Sequence, residues 1–117
     1  MTTPANIPIA ILQGSTFEDF LEYTDEDGTP IDLTGCKARM QIRTEIDSDE
    51  VQADLTTENN GLQIFGPEGK IRRFISDAET QGFGFPAGVY DLEIVWPNTH
   101  VMRLCEGAVS VSFNVTR

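Results

Sequence analysis

Residues 36–43 alternate with a period of two. Cys36, Ala38, Met40 and Ile42 fall on one side, and Lys37, Arg39, Gln41 and Arg43 on the other. Successive side chains of a strand point to opposite faces, so this is the signature of a strand with one face buried. Shorter runs of the same kind recur along the chain between turn clusters, and almost no stretch carries a helical period. Such a pattern predicts an all-β sandwich or barrel.

The remaining strands follow from the same reading. Residues 16–24, with Phe17, Leu21 and Tyr23 in phase, lead into the turn Asp25-Glu26-Asp27-Gly28-Thr29-Pro30, which predicts a hairpin into residues 31–33. Short strands are expected at 51–55, 62–65 and 70–75, the last two paired across Gly66-Pro67-Glu68-Gly69. Ser76-Asp77-Ala78-Glu79 has the form of a capping box, so a helical turn is expected over 76–80, and Gly82, Gly84 and Pro86 keep it short. Residues 89–96, in which Tyr90, Leu92, Ile94 and Trp96 alternate with acids, turn at Pro97-Asn98-Thr99-His100 into 101–105, and 109–115 alternates to the end. The predicted fold is a two-sheet antiparallel β-sandwich of the immunoglobulin-like kind. Residues 13–117 form that single domain. Residues 1–12 form an N-terminal arm or edge strand, because Pro4 and Pro8 interrupt ladder pairing while Ile7, Ile9, Ile11 and Leu12 are too apolar to leave in water.

The chain has 117 residues and a formal net charge of −11, with much of its acid in runs such as Asp25-Glu26-Asp27 and Asp47-Ser48-Asp49-Glu50. That charge repels phosphate backbones and speaks against nucleic acid as a partner. No apolar run approaches the roughly 20 residues of a membrane helix. The N-terminus lacks the basic start and apolar core of a secretory signal, which predicts synthesis in a cytoplasm.

Catalytic signatures are missing. The single His, His100, sits in a turn with no nucleophile elbow elsewhere in the chain, and Cys36 and Cys105 form no metal-ligand spacing and are expected as buried free thiols. Asp25-Glu26-Asp27-Gly28 is half of a calcium loop without its remaining ligands, so a plain turn is the expectation. No cofactor, metal or small-molecule substrate is implied. Two features remain as candidate contact surfaces. One is the cationic stripe Lys37, Arg39 and Arg43, with Arg72-Arg73 adding further cations; it is either a solvated face with local ion pairs or a docking stripe for an acidic partner. The other is the apolar arm Ile7, Ile9 and Ile11. A sugar-binding platform would need Trp96, Tyr90 and Phe83 exposed together, whereas the phase of Trp96 and Tyr90 suits core packing.

In order and spacing, Gln13-Gly14-Ser15-Thr16-Phe17, the segment from Tyr23 to Gly35, Ala38-Arg39-Met40-Gln41-Ile42-Arg43, Ile75-Ser76-Asp77-Ala78-Glu79-Thr80 and Pro86-Ala87-Gly88-Val89-Tyr90-Asp91-Leu92-Glu93 resemble a small structural protein of tailed bacteriophages and prophages. Such proteins are similar to the immunoglobulin-like N-terminal domain of upper baseplate proteins, which in some phages attaches receptor-binding fibres to the tail. The resemblance implies a non-enzymatic virion protein of the tail or baseplate, with capsid or neck decoration as the alternative. It implies other virion proteins and further copies of the chain as partners. A carbohydrate-binding module is the competing reading from another class, and a glycosidase or peptidoglycan-degrading enzyme a more distant one.

Overall fold

The computed structural model describes residues 4–116. Among the described residues nine strands form two stacked sheets: β1 (Ala5–Asn6), β2 (Ile9–Leu12), β3 (Phe17–Glu22), β4 (Lys37–Arg43), β5 (Ala53–Thr56), β6 (Leu62–Phe65), β7 (Lys70–Ile75), β8 (Ala87–Val95) and β9 (Val101–Ser112). The large sheet runs β1-β9-β8-β4-β5, with β2 also on β9, and the small sheet runs β3-β7-β6. Alternation decides which side chains meet between them. Ala38, Met40 and Ile42 of β4, Leu92 and Ile94 of β8, and Ile71 and Ile75 of β7 are all buried in one core.

One short helix, α1 (Asp77–Gln81), connects the sheets, and its Ser76 cap accepts the Glu79 amide at 3.2 Å. The Glu79 carboxylate reaches the Ser76 hydroxyl, which donates to it at 3.3 Å. A 3₁₀ turn at Gly66–Glu68 joins β6 to β7.

Three expectations are corrected. The sandwich is not wholly antiparallel, because β1 and β2 run parallel to β9 at the edge of the large sheet. The hairpin into residues 31–33 is shorter than expected: it consists of one antiparallel bridge between Thr24 and Pro30, with the Asp25 amide donating to the Thr29 carbonyl and the Ile31 amide to the Tyr23 carbonyl, while the Tyr23 and Leu33 amides donate to the carbonyls of Gly69 and Gly66. The last strand is also one element rather than two. Leu92 pairs with Cys105 but Glu93 with Arg103, so Leu104 is an extra residue that shifts the phase. Met102 and Leu104 pack inward before it, while Cys105, Val109 and Val111 do so after it. Gly107 then passes beneath the arm, where a Cβ would lie 2.6 Å from the Ile7 carbonyl oxygen. Phe113 and Val115 lie beyond the strand and are exposed.

Among the described residues one charged side chain is fully buried. Arg73 on β7 is 0% exposed, and its Nε and Nη2 donate to the two carboxylate oxygens of Asp19 on β3 at 2.8 and 2.6 Å. The guanidinium lies 5.3 Å from the Tyr90 ring centre and 3.9 Å from Met40 Sδ. Burial acts to lower the Arg73 pKa, and the Asp19 hydrogen bonds and the Tyr90 contact outweigh it, leaving the value raised. Tyr90 in turn donates its hydroxyl to the Ile7 carbonyl at 2.6 Å, fastening the N-terminal strands to the sheet.

Asp19→Ala leaves Arg73 charged, dry and unpaired, and is expected to cost about 3–5 kcal/mol in equilibrium denaturation. The double replacement Asp19→Leu with Arg73→Met should recover most of that loss; a single variant within about 1 kcal/mol of the parent would refute the assignment. Burial, with Arg73 pulling the other way, pushes the Tyr90 phenol from 10.0 up to about 12. The folded protein therefore keeps the proton that the unfolded chain gives up. This contribution, about 1.4 kcal/mol per unit, is complete below pH 10 and fades as pH rises through about 12. Tyr90→Phe should flatten that stretch of the stability curve, measured by denaturation across pH, and cost about 1 kcal/mol at neutral pH through the lost Ile7 hydrogen bond.

Candidate interaction surfaces

The cationic stripe of β4 lies on the outer face of the large sheet, and most of it is engaged within the molecule. Arg39 Nε donates to Glu93 on β8 at 2.7 Å. Arg43 donates to the Ser48 carbonyl at 2.6 Å and to Gln41 Oε1 at 2.9 Å. Lys37 is exposed and has no ion-pair partner among the described residues. Arg103 on β9 lies 3.1 Å from Glu106 and 3.5 Å from Asp91, which raise its pKa, the Glu106 hydrogen bond most. The face is a lattice of local ion pairs.

Ile9 and Ile11 are 5% and 1% exposed and belong to the chain's own core, and Ile7 is half-buried against it. They are removed from the candidate surface because the parallel pairing with β9 turns them inward. Arg73 is likewise unavailable to a neighbour, being paired inside the sandwich.

Phe20 was not singled out by the sequence, yet it stands 52% exposed on β3. Phe17 and Leu21 set the inward phase of that strand, so an aromatic residue out of phase with them was the available signal. Phe74 on β7 and Phe65 on β6 share its face and stand apart from the core cluster. The Arg72 guanidinium covers the Phe74 ring at 4.6 Å and pairs with Glu18 at 2.5 Å.

Charge is partitioned by secondary structure. Every Lys and Arg among the described residues lies on a strand: Lys37, Arg39 and Arg43 on β4, Lys70, Arg72 and Arg73 on β7, and Arg103 on β9. These seven are matched by seven strand carboxylates: Glu18, Asp19 and Glu22 on β3, Asp54 on β5, Asp91 and Glu93 on β8, and Glu106 on β9. The other twelve acids lie in turns, loops, the 3₁₀ turn and α1. Both sheets are therefore neutral, and the turns carry the net charge.

No arrangement for chemistry emerges among the described residues. Asp25 Oδ1 accepts the amides of Asp27 and Thr29, each at 2.9 Å, so it organises its own turn. No group of three or more His, Cys, Asp and Glu side chains is placed to hold a metal. His100 is exposed in its turn. Cys105 is a buried free thiol, its pKa raised mainly by burial, whereas Cys36 is only half-buried. Tyr90 and Phe83 are buried, leaving Trp96 alone beside an open groove with Pro97 and Met102, so the three-ring platform is not formed. No described helix is long and apolar enough to cross a membrane.

The fold defines the chain as an immunoglobulin-like β-sandwich. No family model matches it, and no curated protein does. Among solved structures, Tim-1 superposes with a TM-score of 0.50 at 11% identity, over 98% of this chain and 99% of that one. A VGSC beta subunit, studied for multimeric cell-adhesive interactions, gives 0.50 at 10% identity over 96% of each chain. At such identities the likeness is one of fold.

Because the Arg39–Glu93 pair is exposed, Arg39→Glu is expected to lower stability by no more than about 1 kcal/mol. Thermal melts check this, and a larger drop would mean the lattice of pairs holds the sheet together.

Proposed function

We propose that this protein is a non-enzymatic structural component of a tailed-phage particle, placed in the tail or baseplate or at a fibre attachment, and acting through protein–protein contacts of its sheet faces. The observation that carries the reading is the charge partition. A component present in many copies must approach other copies and other acidic surfaces despite a net charge of −11. Neutral strand faces flanked by acidic turns permit approach face-on and oppose it elsewhere. The resemblance of segments within residues 13–93 to phage structural proteins supports the setting. The likeness in fold to a VGSC beta subunit studied for multimeric cell-adhesive interactions supports a contact role. Burial of Tyr90 and Phe83, two of the three rings a sugar platform would need, favours this over a sugar-binding role.

Immunogold labelling of purified particles should place the protein at the tail or its tip, and particles lacking the gene product should lose a tail component or their fibres. Particles that are complete and infectious without it, and unlabelled when it is present, would sink the proposal.

A further inference from the structure

We infer that the outer face of the small sheet is a contact between two copies of this chain, stacked face to face about a two-fold axis that runs along the strands between β3 and β7. The inference rests on reading the protein as a contact module and does not need the viral setting. On this face β3 presents Glu18 and Glu22 around Phe20, and the neighbouring strand β7 presents Lys70 and Arg72 beside Phe74. An acidic column next to a basic one is complementary to itself. A half-turn about that axis lays the β3 column of each copy over the β7 column of the other, so carboxylates face cations on both sides and Phe20 meets the Arg72–Phe74 stack. An exposed Phe20, a half-buried Phe74 and an Arg at the centre, with charges around them, are the composition of interface anchors.

The large sheet has opposed columns too, on β4 and β8, but its outer face offers no exposed aromatic ring. Ile46, from the loop bearing Glu45, Asp47, Asp49 and Glu50, lines the same hollow as Val89 and Ala108, so a second copy would meet like charge there. The small-sheet face measures roughly 20 Å along the strands by about 14 Å across them. That is less than a standard interface provides, so the pair forms weakly, at high protein concentration or within an array.

Sedimentation equilibrium of the full chain over a concentration series should show a mass rising from 12.9 kDa toward twice that value. Phe20→Ser should weaken the association at least about tenfold without changing the melting temperature. Two charge-reversed variants make the test specific to the columns. The Glu18→Lys, Glu22→Lys protein and the Lys70→Glu, Arg72→Glu protein should each stay monomeric, and mixing them should restore a heterodimer. A parent chain that stays monomeric at millimolar concentration would overturn the inference. So would variants that dimerise alone, or folded variants whose mixture does not pair. A monomer still found in particles would remove this contact and leave the particle role standing; a dimer absent from particles would do the reverse.

Discussion

The Arg73–Asp19 pair is the interaction on which the rest of the molecule depends. The pair adds little net stability, because the desolvation of Arg73 offsets most of its attraction to Asp19, whose side chain stays 37% exposed. Its effect is on register. A one-residue slip of β3 against β7 would turn Asp19 outward and leave Arg73 uncompensated in the core. The same slip would carry Phe20 inward and turn Phe17 and Leu21 into water. Through Met40 the guanidinium also touches the large sheet, and through Tyr90 it is linked to the Ile7 carbonyl at the N-terminal edge. One side chain thus ties together the small sheet, the centre of the large sheet and the arm.

Register in turn sets the surface. Once Asp19 faces inward, Glu18, Phe20 and Glu22 must face outward, next to the outward residues of β7. Like charges directly opposite one another on neighbouring strands destabilise a sheet, and opposite charges favour it, so cations confined to β4, β7 and β9 call for carboxylates on β3 and β8. Turns carry no such constraint, and the surplus acid collects there. The same carboxylates shield an open edge: β3 pairs on one side only, and Glu18 and Glu22 make it a poor template for a foreign strand. At the opposite edge β6 is four residues long and ends against Pro67.

The sequence made the alternating elements legible and left hidden those governed by pairing. β4, β7 and β8 follow from period-two patterns, and α1 from its cap, because their signals are local. The bulge at Leu104 cannot be read from residues 101–115 alone, since it exists only against Leu92 and Glu93. Parallel attachment of the arm is equally non-local. Arg73 is the clearest case: a cation in an apolar slot looks like surface until Asp19, distant in sequence, is known to face it. The candidate surface suffered from the same limit. Ile9 and Ile11 are as apolar as any interface residue, and only β9 reveals that they fill the core.

An immunoglobulin-like sandwich does not specify a function, and what a given chain does with it lies in faces, edges and loops. Here the two faces differ in kind. On the large sheet's outer face Arg39, Arg43 and Arg103 are already engaged within the molecule, so a partner meeting them would have to break contacts in order to make them. The small sheet's face presents rings whose burial costs no hydrogen bond and is worth about 25 cal/mol for each Å² removed from water. A contact of that size is weak alone, and the acidic turns keep copies from aggregating in other orientations. Held in a repeating array, where neighbours are supplied at high effective concentration, the same contact becomes strong without any new interaction. Weakness in solution and strength in an assembly are then two consequences of one small neutral face on an acidic protein.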